Sequence, residues 1–139
     1  MAGICVLAWL TALSFYDIHE RRLPNWLTMP GAVAILGIAA AHGRGGQAML
    51  GAVTLFAIYA LVHVMSPAAM GAGDVKLAIG IGALTGTFGS DVWALATLGA
   101  PLLTAGWAVV VVVRRSGQTV PHGPSMCLAA MTATALAVI

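Results

Sequence analysis

Charge is what this chain has least of. Charged residues make up 7% of its 139 residues, where soluble domains carry roughly 25%. Charge that sparse cannot cover a water-facing surface, and with hydrophobic residues at 60% the chain is expected to live in a bilayer. Six basic residues against four acids leave a formal charge of +2, a surplus too small and too scattered for a nucleic-acid surface. Cysteine is scarce as well. Cys5 and Cys127 lie far apart inside apolar stretches, form no CxxC pair and belong to no spaced framework, so neither a zinc site nor a disulfide scaffold is indicated. They read as small apolar fillers in helices. No cluster has metal-ligand spacing, and no Ser/His/Asp or Cys/His set shares a plausible site. No Lys or Arg precedes the apolar run Ile4 to Tyr16, and the first basic pair, Arg21-Arg22, follows it. A secretory signal has the opposite polarity, so residues 1–16 read as a retained first span. Internal repeats and low-complexity linkers are also missing.

What is present is a series of apolar stretches of helical length. A spanning helix needs about 20 residues, with a lower limit near 17. Cutting at charges, Gly/Pro clusters and caps gives six candidates, at about 2–18, 26–42, 47–65, 74–89, 91–113 and 123–139. The expected fold is all-α: one polytopic membrane domain over 1–139 with about six transmembrane helices, consecutive ones antiparallel because the loops are short. Asn25, after Pro24, is expected to cap the second helix, and Asp91, after Ser90, the fifth. With six spans, Arg21, Arg22, Lys76, Arg114 and Arg115 fall on or beside one side and only Arg44 on the other. The positive-inside rule makes the first side cytoplasmic and puts both termini outside.

That topology brings Asp17 and Asp74 to one face. Asp74 opens the fourth apolar stretch inside Gly71-Ala72-Gly73-Asp74-Val75-Lys76, and Asp17 closes the first. An acid at the edge of a bilayer is costly and rare unless it faces a cavity, a partner or a reaction. Gly71 and Gly73 clear side chains from the turn beside Asp74. Asp74, Ala78, Gly82 and Gly86 recur every four residues, a stripe of small side chains suited to close helix packing, so Asp74 belongs to the packed face. Lys76 is expected to point away and snorkel toward the headgroups. His19, His42, His63 and His122 are expected to be satisfied or solvated.

Two carboxylates at close range share one proton and titrate as a unit. One can then take a proton from an attacking water while the other hydrogen-bonds the carbonyl oxygen. This is amide hydrolysis with no metal and no covalent intermediate. Taken singly, each acid could instead be structural: Asp17 a helix-end acid near Arg21, Asp74 a cap after Gly73. Other readings remain open at this point, among them a small proton-coupled transporter whose buried acids carry protons, and a catalytically silent assembly subunit.

Three stretches in order resemble the type IV prepilin peptidases. Asp17, six residues, then Pro24-Asn25 is similar to their first motif; Gly71-Ala72-Gly73-Asp74 is similar to their GxGD; and Pro121-His122-Gly123-Pro124 is similar to their late P-x-G-P element. The resemblance implies a cytoplasmic (inner) membrane aspartyl endopeptidase that clips the basic leader from prepilin-like precursors at the cytoplasmic face. It implies Asp17 and Asp74 as the catalytic pair and Gly71 and Gly73 as site-shaping glycines. The substrate's helix in the membrane and the surrounding lipid would be its partners; no cofactor and no metal are expected. Full-length members carry a cytoplasmic insertion with CxxC pairs, where this chain has only the connector from about Ile18 to Asn25. It therefore resembles the short form that serves Flp-type, tight-adherence pili. No methyl-donor motif is present, and His122 stands where the family often has an aromatic. A preflagellin-type peptidase of the same mechanism is the nearest alternative.

Overall fold

The computed structural model describes residues 2–117 and 119–139. Six helices follow one another without a strand among the described residues: α1 (Ala2–Glu20), α2 (Asn25–Ala41), α3 (Gly45–Met65), α4 (Ala72–Thr87), α5 (Ser90–Val113) and α6 (Gly123–Val138). All six expected helices are there, each end within about three residues of its expected position. Two of them, α3 and α5, are long and apolar enough to cross a membrane by length and composition.

The distribution of side chains explains the packing. Leu50, Val64, Leu102 and Val112 face outward, whereas Ala48, Ala52, Ala78, Ala83 and Ala130 are buried. Facing water, so much apolar surface would drive aggregation; facing lipid tails, it is at home, and small residues inside let backbones approach. This is the pattern of a membrane protein.

The central helix is α4, which contacts α2, α3, α5 and α6. Gly80, Gly82, Ala83 and Gly86 keep parts of its surface free of side-chain bulk, while Leu77, Ile81 and Leu84 fill the core. Every residue from Gly80 to Gly86 is buried. The closest crossing is with α3. A Cβ on Gly82 would land on the carbonyl oxygen of Gly51 and 3.0 Å from the Ala52 Cα; one on Gly86 would lie 2.7 Å from the Gln47 carbonyl oxygen. These are backbone atoms that cannot swing aside. The Trp93 indole N–H adds a hydrogen bond across the bundle to the Gly51 C=O at 3.0 Å. Gly82→Val is therefore expected to force α3 and α4 apart and cost about 3 kcal/mol or more, at the upper end of overpacking penalties. Thermal unfolding in detergent checks this, with Gly37→Ala as a neutral control, because a Cβ at Gly37 meets nothing within 4 Å.

A second wedge holds α1 in place. The Trp9 indole N–H donates to the Leu27 carbonyl on α2 at 2.8 Å. Its ring fills the space left by Gly31 and Gly80, so α1, α2 and α4 meet around one aromatic side chain. With helices alternating in direction, the end of α1 and the starts of α2, α4 and α6 gather at one end of the bundle. Arg44 sits at the other end and donates to the Thr87 carbonyl, 3.3 Å away, at the C-terminus of α4, where a cation suits the helix dipole.

Candidate active site

Asp17 lies three residues from the C-terminus of α1 and is 8% exposed. The chain turns immediately after it. Arg21, whose N–H bonds the Asp17 carbonyl at 3.1 Å, takes a left-handed conformation with φ 52°. That region costs a non-glycine residue roughly 1–2 kcal/mol, and it swings the connector back toward the bundle. Asp74 occupies the first turn of α4. Both carboxylates line one cavity of about 290 Å³, which they share with Arg21, Arg22, Lys76 and the Gly71–Gly73 turn. Since a water molecule takes up about 30 Å³, the cavity has room for a water and a peptide group together.

The sequence motifs around the two acids lock into each other. The Lys76 ammonium donates to the Asn25 side-chain oxygen at 2.9 Å, tying the start of α4 to the start of α2. A Cβ on Gly73 would lie 3.3 Å from the Leu23 side chain, so the glycine lets the α1–α2 connector rest against the turn. A Cβ on Gly71 would face the Asp74 carboxylate at 3.5 Å. Three expectations fail against this geometry. Asn25 does not cap α2, because Pro24 holds the cap position with no side-chain cap bond and the Asn25 oxygen is engaged by Lys76. Lys76 does not point away from the acid; it lines the same cavity. Asp91 likewise does not cap α5, whose cap position is Gly89; it sits in the first turn, where its charge still suits the dipole.

A third element enters that sequence reasoning did not assign. The Gly123 N–H, at the start of α6, donates to Asp17 Oδ2 at 3.1 Å. A Cβ on Gly123 would stand 2.5 Å from that oxygen, so only glycine allows the approach. One carboxylate oxygen is thus held from α6. The signal was in the sequence: Gly123 lies between Pro121 and Pro124 at a helix start, where an exposed N–H awaits an anion.

A model of the type IV leader peptidase family matches residues 4–139. The chain belongs to the type IV leader peptidase family. Comparison with curated proteins and with solved structures gives no match. The chain is thus a member of a peptidase family, and its site has to be sought among groups that can attack an amide. A larger groove of about 660 Å³ lies at the opposite end of the bundle, lined by residues such as Leu7, Ile38, Leu84 and Arg44. It is apolar and holds no carboxylate. The smaller cavity holds both acids that the sequence singles out.

Proposed function

We propose that the chain is an aspartic endopeptidase that removes the leader of Flp-type prepilins, with Asp17 and Asp74 as the catalytic pair. The observation that carries this reading is that two acids 57 residues apart in sequence line one cavity. Each comes from the end of a different helix, and each sits beside backbone opened by glycine.

The chemistry follows from the pairing. A proton shared by two nearby carboxylates leaves one able to act as base and the other as acid. The base draws a proton from a water as its oxygen attacks the carbonyl carbon of the leader bond. The acid donates a hydrogen bond to the carbonyl oxygen, on which charge grows. As the tetrahedral intermediate collapses, the C–N bond breaks, the leaving amine takes up a proton from the pair, and the leader keeps the new carboxylate. The Gly123 N–H fixes one edge of Asp17, so the remaining oxygen faces the cavity. Gly71 and Gly73 admit the substrate backbone. Pro24, Asn25 and Lys76 hold the two motif turns together.

In this reading all six helices cross the inner membrane, both termini lie outside, and the cavity opens at the cytoplasmic face among Arg21, Arg22 and Lys76. A prepilin helix lying in the bilayer against the bundle would carry its leader bond to that depth. The test is a panel of precursors, one Flp-type prepilin, one long-leader type IV prepilin and one preflagellin, incubated with protein in nanodiscs and read by mass. Cleavage of the Flp-type leader in preference to the others is the expected result. Preference for the preflagellin would reassign the substrate. An intact panel, with solute-dependent proton uptake in liposomes, would replace the peptidase reading by a transporter.

A further inference from the structure

His122 immediately precedes the residue whose N–H holds Asp17, and both of its ring nitrogens are engaged. Nε2 lies 3.0 Å from the Tyr59 hydroxyl on α3, and Nδ1 lies 2.7 Å from Thr104 Oγ1 on α5. One arrangement of protons uses every hydrogen in the row once. In it the Thr104 hydroxyl donates to the Ala100 carbonyl at 3.1 Å, and its oxygen accepts from His122 Nδ1–H. A neutral imidazole with its proton on Nδ1 has a lone pair on Nε2, so the Tyr59 O–H donates there. The row runs Tyr59 to His122 to Thr104 to Ala100, with every hydrogen used once. Protonation would make Nε2 a donor too and leave the Tyr59 hydrogen without its acceptor. Burial pushes the His122 pKa down, in keeping with the neutral ring.

We propose that His122, clamped between Tyr59 and Thr104, is a positioning residue for Asp17. It acts through the backbone: two side-chain bonds to different helices fix the His122 ring, hence the α6 entry, hence the Gly123 N–H that grips Asp17 Oδ2. The inference rests on Asp17 being catalytic. It concerns residues outside the cavity: Tyr59, Thr104 and His122 are absent from its lining. Tyr59 is 5% exposed, so its hydroxyl has no bulk water to fall back on if the row is broken. A His122 ring left free on one side can rock, and the amide beside it moves too. Reactions of this kind are sensitive to such shifts, because a misplacement of about 1 Å can cost about 100-fold.

The experiment compares wild type, Tyr59→Phe, Thr104→Ala, Thr104→Ser and Asp17→Asn in nanodiscs, with cleavage rates of an Flp-type prepilin and amide hydrogen exchange over 120–126. Tyr59→Phe removes one oxygen and Thr104→Ala one hydroxyl and a methyl, so both should fold. In each, kcat should fall between about 10-fold and 100-fold with KM within about twofold, as expected for a misaligned group. Exchange at Gly123 should quicken. Thr104→Ser restores the hydroxyl and should restore both readouts. Wild-type kcat in Tyr59→Phe and Thr104→Ala, in an enzyme that Asp17→Asn silences, would overturn the positioning role and leave the aspartate pair standing. If Asp17→Asn cleaves like wild type, the catalytic reading fails and this proposal falls with it.

Discussion

Asp17→Asn and Asp74→Asn should each slow prepilin cleavage by about 100-fold to 10,000-fold, the range that a positioned acid or base contributes. Asparagine matches aspartate in size, so the cavity keeps its shape. At position 17 the amide oxygen can still accept the Gly123 N–H, so the α1–α6 contact survives. What the substitution removes is the ability to take or give a proton. Loss should therefore appear in kcat, with KM and thermal stability nearly unchanged. Initial rates on a prepilin in nanodiscs, beside a melting curve for each variant, check it. A variant that binds substrate like wild type and releases no leader is the expected phenotype.

Gly123→Ala should lower the cleavage rate by about 100-fold, the scale of a small misplacement at the reacting groups. The added Cβ would stand 2.5 Å from Asp17 Oδ2 and 3.0 Å from its Cγ. A contact that short cannot persist, so either the carboxylate swings out of the cavity or the start of α6 lifts away. Both outcomes break the hydrogen bond that fixes Asp17. The rest of the bundle has little reason to respond, because the clash is with one side-chain end rather than with backbone. This separates Gly123→Ala from Gly82→Val, where carbonyl and Cα atoms of the neighbouring helix are in the way. The first should fold and fail to cut; the second should lose stability. Gly37→Ala, with open space around its Cβ, should do neither.

Much of this structure was legible before any coordinates. The helices were marked by apolar runs cut at Gly, Pro and charge, and these signals are local. The stripe Ala78, Gly82, Gly86 was readable because a four-residue repeat of small side chains has one geometrical use, close approach. The gathering of Asp17 and Asp74 at one end followed from alternating helix direction alone. Contacts across the bundle were not legible. Asp17 and Gly123 are 106 residues apart, and nothing in either neighbourhood names the other. Asn25 looked like a cap because its position suits one, yet Lys76 from another helix claimed its oxygen. Lys76 looked like a residue turned to the headgroups because a helical wheel knows only its own helix. For Asn25 and Lys76 a tertiary partner outweighed the local preference. His122, expected to be satisfied or solvated, is satisfied, half-buried where α6 meets α3 and α5, but which helices would bond it was not readable.

The most direct measurement is a mutant cycle on one Flp-type prepilin, with wild type, Asp17→Asn, Asp74→Asn and the double variant read by leader release in single turnover. Two groups that share a proton and serve one water act as a unit, so the double variant should be no slower than the slower single one. Losses that multiply would show the two carboxylates working independently, and a wild-type rate in either single variant would remove that residue from the chemistry.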